Sequence, residues 1–270
     1  MTFETMAPAP AQPAGQAPAG VRFFALVPCA GVGVRAGAGG PKQYARLAGQ
    51  AVVGHTLAAL ARVIRLHATL VVLAPDDGLF EGLVPGHAGW VARCGGATRA
   101  ASVLAGLQAL RARGASDDDW VLVHDAARCL VQPAWVDRLI DACLHDDVGG
   151  LLAVPLADTL KEERPAQSGR AAATLPRAGK WAAQTPQMFR LGLLQRALLA
   201  AGEAVTDESS AVEHLGLAPL LVPGELENLK LTWPADFALA QRLLQTRADP
   251  PPSAFPSHLQ TPGAQRHDPA

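Results

Sequence analysis

What this sequence lacks first is charge of one sign. Lys and Arg number 23 against 24 Asp and Glu, a formal net charge of −1. No global basic surface exists for a nucleic acid backbone, so any anion site must be a local cluster. No apolar run approaches the length needed to span a bilayer, which excludes a membrane partner of that kind. The four cysteines, Cys29, Cys94, Cys129 and Cys143, form no C-x-x-C pair and no disulfide framework, which fits a reducing, cytoplasmic setting. Residues 1–20 are mostly Ala, Pro, Gly and Gln, with neither the basic nor the apolar region of a secretory signal. They read as a disordered tail, and so does 248–270, whose His258 and His267 are too widely spaced to suggest a metal site. Between the tails, 21–247 is one globular unit, and 49% hydrophobic residues over 270 positions give it ample core.

Two common phosphate motifs are also missing. The apolar run Phe23–Val27 reads as a buried strand stopped by Pro28, and a loop follows with Gly31, Gly33, Gly37, Gly39 and Gly40. A P-loop would need Gly-Lys-Ser/Thr, yet Lys42 follows Pro41 and precedes Gln43. A dinucleotide fingerprint over Gly31, Gly33 and Ala36 would need a ribose-binding acid roughly 20 residues on. The stretch 51–56 has none, which argues against an NAD-dependent oxidoreductase. What is present is a glycine loop whose only charges, Arg35 and Lys42, are cations. Such a loop can turn N–H groups toward a polyphosphate.

Further along, Gly95-Gly96-Ala97-Thr98-Arg99 opens a helix carrying Val103, Leu104, Leu107 and Leu110. Free N–H groups there could hold an anion or a carbonyl, though Thr98 as an ordinary cap explains the stretch equally well. Trp120–His124 reads as a buried strand ending in Asp125, with Arg128 three residues on. Ligands of open α/β sheets bind at such strand ends. Asp125 is a hard oxygen ligand suited to Mg²⁺ and Arg128 a bidentate phosphate donor, while a structural ion pair is the plainer alternative. Strands alternate with helices until 156–180, a polar stretch without a buried face that is either a surface loop or an arm packing on something else. A strand is expected at Glu227–Thr232, with Asn228 and Lys230 on one face. The helix after Arg190 and that after Thr206 complete the pattern, the second with a capped, acid-rich first turn.

These segments together, PxAGxGxR with GGPKQY, GG-x-x-R-x-x-S, HDAAR and WxxQTPQxF, resemble the 2-C-methyl-D-erythritol 4-phosphate cytidylyltransferases of the non-mevalonate isoprenoid pathway. The resemblance runs in order over nearly all of 21–247. It implies a Rossmann-like, three-layer α/β fold with a mostly parallel, twisted sheet and an inserted β-arm at about 156–180. It implies cytidylyl transfer from CTP to the polyol phosphate with Mg²⁺ at Asp125, in a homodimer whose exchanged arms bring Arg177 to the partner's site. By the same resemblance the nucleotide-binding residues are Pro28, Ala30, Gly31, Gly33, Gly96, Arg99, Ser102, Asp125 and Ala126. Arg128, Thr159, Arg177, Thr185, Thr206 and Lys230 would hold the polyol phosphate, and Arg35, Lys42, Arg177 and Lys230 would be catalytic. The family usually has proline where this chain has Cys129, a departure expected to loosen the turn without removing Asp125 or Arg128. A ribitol 5-phosphate cytidylyltransferase is the alternative enzyme. A non-catalytic nucleotide-binding subunit would be free to lose Arg35, Lys42 or Asp125, and all three are present.

Overall fold

The computed structural model describes residues 20–31, 40–164, 169–202 and 205–248. Gly33 and Arg35 lie outside the described residues, as do all of the two tails except Gly20 and Ala248. In chain order the elements are β1 (Phe23–Pro28), a small hairpin of β2 (Arg46–Leu47) and β3 (Gln50–Ala51), α1 (Val52–Ala61), β4 (Leu66–Val72), α2 (Phe80–Leu83) and β5 (Trp90–Ala92). Next come α3 (Arg99–Arg111), β6 (Trp120–Val123), α4 (Pro133–Cys143), β7 (Gly149–Pro155), β8 (Leu160–Glu163) and β9 (Ala171–Leu175). The chain continues with β10 (Trp181–Arg190), α5 (Leu191–Ala201), α6 (Glu208–His214), β11 (Leu220–Pro223) and α7 (Pro234–Ala248).

Seven strands form one sheet in the order β11-β7-β10-β6-β1-β4-β5. Every pairing is parallel except those of β10, which runs antiparallel to both β6 and β7. The sheet is therefore mostly parallel, as expected. Helices cover both faces, so its strands are apolar without alternation. Along β1, Ala25 and Val27 enter one core with Leu57 and Leu60 of α1 and Val136 and Ile140 of α4. Phe24 and Leu26 point the other way, into Val103, Leu107 and Leu110 of α3 and Leu194 of α5. Each of these side chains larger than alanine contributes on the order of 2 kcal/mol by leaving water. A third cluster, with Leu130, Leu231 and Ala240, packs α7 beneath the turn after β6.

Four local expectations are corrected. Val53, Leu57, Leu60 and Ile64 stand at helical spacing and predict a helix over 53–65, but α1 stops at Ala61 and Ile64 is 95% exposed. Backbone bonds from Val63 to Leu60 and from Leu66 to Val63 turn the chain into β4 before another helical turn can form. The stretch from Ala74 to Gly89 shows no clear helical or strand pattern in the sequence, yet it contains α2, and a short hairpin of β2 and β3 follows the glycine loop. Glu227–Thr232 is not a strand. Its backbone is held singly, Leu231 N donating to Ala127 O, while the Asn228 amide is consumed by Gln184 Oε1 and Thr185 O. The helix expected after Pro234 carries Phe237, Leu239, Leu243 and Leu244 as its apolar residues, but Leu239 is 41% exposed.

The turn that carries Cys129 is closed by a backbone hydrogen bond. Arg128 N donates to Asp125 O at 3.0 Å, and the buried Cys129 packs into the α7 cluster. Burial pushes the thiols of Cys29 and Cys129 up to about 12 each, so both serve as small apolar side chains.

Candidate active site

A cleft of about 420 Å³ opens where β1 and β6 end and α3 begins, lined among others by Ala30, Lys42, Gly96, Ser102, Asp125 and Lys230. Two loops meet across it at a distance only glycine permits. A Cβ on Gly95 would sit 2.3 Å from the Ala30 Cβ and 2.8 Å from Leu73 O. One on Gly96 would come within 2.6 Å of the Ala101 Cβ. Ser102 Oγ accepts from Gly96 N at 3.1 Å and donates to Thr98 O at 3.0 Å. Thr98 caps α3 through Ala101 N at 3.1 Å. The capping explanation of this stretch thus holds, and it coexists with a place on the cleft wall for Gly96, Arg99 and Ser102.

The loop after β1 is tied at its mouth by Gln43, whose side-chain amide donates to Cys29 O at 3.0 Å and Gly31 O at 2.8 Å. Sequence reasoning passed over Gln43, although it stands beside Lys42 in the quoted PKQY segment. Tyr44 Oη donates to Asp77 Oδ2 at 2.5 Å, and Asp77 Oδ1 accepts from Leu79 N and Phe80 N at the start of α2. Lys42 Nζ donates to Leu231 O at 3.0 Å, one residue from Lys230.

Asp125 sits among cations. Arg99 Nε is 2.9 Å from its Oδ1, Lys230 Nζ 2.8 Å from its Oδ2, and Arg128 Nε 3.7 Å from Oδ2. Burial alone would raise the Asp125 carboxyl, but the charges of Arg99, Lys230 and Arg128 hold it well below the usual carboxylate range. Its backbone is aimed by a buried chain of hydrogen bonds. Asp125 N donates to Thr185 Oγ1 at 3.0 Å, and Thr185 Oγ1 lies 3.1 Å from His124 Nδ1. His124 Nε2 lies 3.1 Å from Arg128 O. A carbonyl only accepts, so in the neutral ring Nε2 carries the proton and Thr185 donates to Nδ1. Burial lowers His124 to about 4, keeping the ring neutral.

Thr185 reaches this position because β10 leaves the ladder between Ala183 and Gln187, residues paired with Ala153 and Leu151 of β7. Such a bulge beside a site re-aims a side chain. A second hollow of about 140 Å³ shares Arg99, Asp125 and Lys230 with the cleft and adds Arg128, Thr185 and Thr206.

The cleft and hollow thus bring together Pro28, Ala30, Gly31, Lys42, Gly96, Arg99, Ser102, Asp125, Ala126, Arg128, Thr185, Thr206 and Lys230. Thr159 and Arg177 are not among them. Both are exposed, with Arg177 Nη1 donating to Ala157 O. Glu208 was read as part of an acid-rich first turn. Asp207 and Ser210 do form a capping box there, but Glu208 faces inward, 0% exposed, and grips Arg99 with both oxygens at 2.6 and 3.0 Å. A buried acid in a helix's first turn carries no sequence signal that separates it from a solvated one.

Cations converging on one carboxylate at the carboxyl ends of parallel strands, beside a glycine-lined cleft, define a nucleotide-using group-transfer enzyme. The model of the 2-C-methyl-D-erythritol 4-phosphate cytidylyltransferase family, IspD, matches residues 23–246. The bifunctional enzyme IspD/IspF of Albidiferax ferrireducens is 62% identical over 228 residues, covering 84% of this chain and 54% of that relative. The chain thus spans about half the length of the bifunctional relative. The 2-C-methyl-D-erythritol 4-phosphate cytidylyltransferase of Paraburkholderia phytofirmans is 52% identical over 232 residues, covering 84% of this chain and 98% of its own. A crystal structure of a 4-diphosphocytidyl-2C-methyl-D-erythritol synthase superposes with a TM-score of 0.74 at 40% identity, over 83% of this chain and 99% of that one. The chain belongs to the 2-C-methyl-D-erythritol 4-phosphate cytidylyltransferase family. It is a nucleotidyltransferase of isoprenoid biosynthesis that uses CTP.

Proposed function

We propose that the chain joins CTP to 2-C-methyl-D-erythritol 4-phosphate by in-line displacement at the α-phosphate. A phosphate oxygen of the polyol forms the new P–O bond. The bond from the α-phosphorus to its bridging oxygen breaks, and its electron pair leaves with pyrophosphate. The attacking group is already an anion, so no side-chain base is required. This accords with the one histidine buried at the site among the described residues, His124, whose two ring nitrogens are both engaged internally.

The observation that carries the reading is the collar of cations around Asp125, with Lys42 bonded one residue from Lys230. Two polyanions must approach each other, and fixed cations offset that repulsion and the charge gathering in the transition state. Lys42, with Arg35 as the further expected cation, would stabilise the α-phosphate and the leaving pyrophosphate. Lys230, whose side chain is 41% exposed, can exchange its carboxylate partner for the incoming phosphate. Arg128 and Thr206 line the adjoining hollow, which suits the polyol phosphate.

Among the described residues no three His, Cys, Asp or Glu side chains group into a protein-only metal cage. Mg²⁺ beside nucleotide phosphates needs only one or two carboxylates, with substrate oxygens completing its shell. Asp125 fits that requirement and would hold it, and the ion would supply charge neutralisation at the phosphates.

The arm supports a homodimer. β8 and β9 pair only with each other, in a hairpin whose β9 residues are all exposed. In a dimer Arg177 and Thr159 would reach the partner's hollow. No helix among the described residues is long and apolar enough to cross a membrane, and four free cysteines support a reducing, cytoplasmic setting.

The test is pyrophosphate release from CTP with Mg²⁺, with methylerythritol phosphate and ribitol 5-phosphate offered in parallel. Turnover with the first alone is expected. Turnover with the second alone would overturn the substrate assignment, and silence with both in a preparation that binds CTP would overturn catalysis.

A further inference from the structure

Glu208 takes no part in the reaction just described, yet it is the most buried charge at the site. Its side chain is 0% exposed, and both oxygens receive N–H bonds from the Arg99 fork. The third side of that fork, Nε, faces Asp125 Oδ1 at 2.9 Å. Arg99 is therefore a beam between two carboxylates on different elements, Glu208 on α6 and Asp125 at the end of β6. The other oxygen of Asp125 faces Lys230, whose side chain is 41% exposed against 26% for Arg99. Of the two cations closest to Asp125, Arg99 is thus locked and Lys230 exchangeable, with Arg128 farther off at 3.7 Å. A buried pair of this kind is costly to desolvate and contributes little to net stability against an apolar replacement.

We infer that Glu208 is a positioning residue for the transfer: it holds Arg99 back from the triphosphate, so that Arg99 keeps Asp125 fixed while Lys230 exchanges. The inference rests on the cytidylyl-transfer reading above. The physical consequence is a trade. An unrestrained guanidinium near a polyanion swings onto it, because the bidentate phosphate contact is strong. Ground-state binding then tightens while the transition-state arrangement is lost. Neutralising Glu208 also removes a buried negative charge from behind Arg99, which further favours CTP.

The experiment compares Glu208→Gln, Arg99→Lys and the double variant with the wild type. It uses calorimetric CTP affinity without polyol phosphate, and steady-state pyrophosphate release with it. In Glu208→Gln, CTP is expected to bind about 3- to 10-fold more tightly while kcat falls about 10- to 100-fold, a split that a packing defect does not give. The double variant is expected to lose little more than either single one, because both act through the same beam. Unchanged or weaker CTP binding in Glu208→Gln, or additive losses in the double variant, would overturn the inference. Should Glu208→Gln fail to fold, Arg99→Lys decides alone. A lysine cannot bridge both carboxylates, so reduced kcat is expected, and wild-type turnover would overturn the inference. Wild-type release of pyrophosphate is measured first. Its absence sinks the functional reading, whereas normal turnover with an unaltered Glu208→Gln sinks this inference alone.

Discussion

The cleft and the arm are built on opposite principles. Around Asp125 nearly every polar atom has a partner reached from a distant part of the chain: Arg99 from α3, Thr185 from the β10 bulge, Glu208 from α6, Lys230 from the segment before α7. The arm is local. Its strands pair with each other, Lys161 donates to Thr174, and Arg177 reaches back to Ala157. Three of the four β8 residues and all of β9 are exposed. A region braced from many directions holds its charges in place before any ligand arrives. A hairpin with no buried face leaves its residues to be positioned by something outside their own fold. The two regions should therefore fail differently when disturbed.

The largest effect is expected in the cleft. Lys42→Ala should lower kcat by about 10²- to 10⁴-fold, the range for losing a preorganised group aimed at developing charge. Arg35→Ala is expected to behave alike. Thermal unfolding should move little, because Lys42 lies on the cleft wall and not in a core cluster. Steady-state kinetics beside a melting curve checks both halves, and near-normal turnover would remove Lys42 from the reaction.

A smaller and more selective effect is expected from the arm. Arg177→Ala should raise the KM for the polyol phosphate about tenfold, leaving CTP affinity and the melting temperature as they are. If CTP affinity fell in step, the cleft and the arm would not be separable in the way drawn here.

The smallest effect concerns stability alone. His124 is buried neutral, with burial lowering it to about 4, against about 6.5 in an unfolded chain. Below pH 6.5 the unfolded chain takes up a proton that the folded one refuses. The contribution of this group is therefore complete above that pH and lost as pH falls toward about 4. Between pH 7 and 5 the loss should be about 2 kcal/mol. Urea unfolding of the wild type and His124→Asn at the two pH values tests this, since the variant should lack that part of the slope. Equal slopes would mean that the ring takes up its proton in the fold at the same pH as in the unfolded chain.

Much of the fold was legible because parallel strands buried on both faces must be continuously apolar. Phe23–Val27, Trp120–Val123 and Gly149–Pro155 announce themselves in that way. The misread places were those where the backbone is satisfied by single, distant bonds. Glu227–Thr232 alternates like a strand, but Asn228 spends its amide on Gln184 and Thr185 and no ladder forms. Lys42, Asp125 and Arg128 could be named as candidates because a charge beside a strand end or a glycine loop is locally conspicuous, and Lys230 only through the family resemblance. Gln43, Glu208 and His124 could not, because each acts by what it touches. The Gln43 partners are Cys29 and Gly31, and the Glu208 partner lies 109 positions away.

By itself the sequence determined the order of strands and helices, the family, and the charged groups available for phosphate chemistry. These follow from hydrophobic pattern and residue type, which are properties of position along the chain. Only the tertiary structure decided how those charges are shared. It gave Arg99 to two carboxylates, turned the Thr185 hydroxyl inward to His124 and left Lys230 as the exposed partner of Asp125. Electrostatic partnership depends on distance through space and on burial, and neither is written in the spacing of residues along a chain.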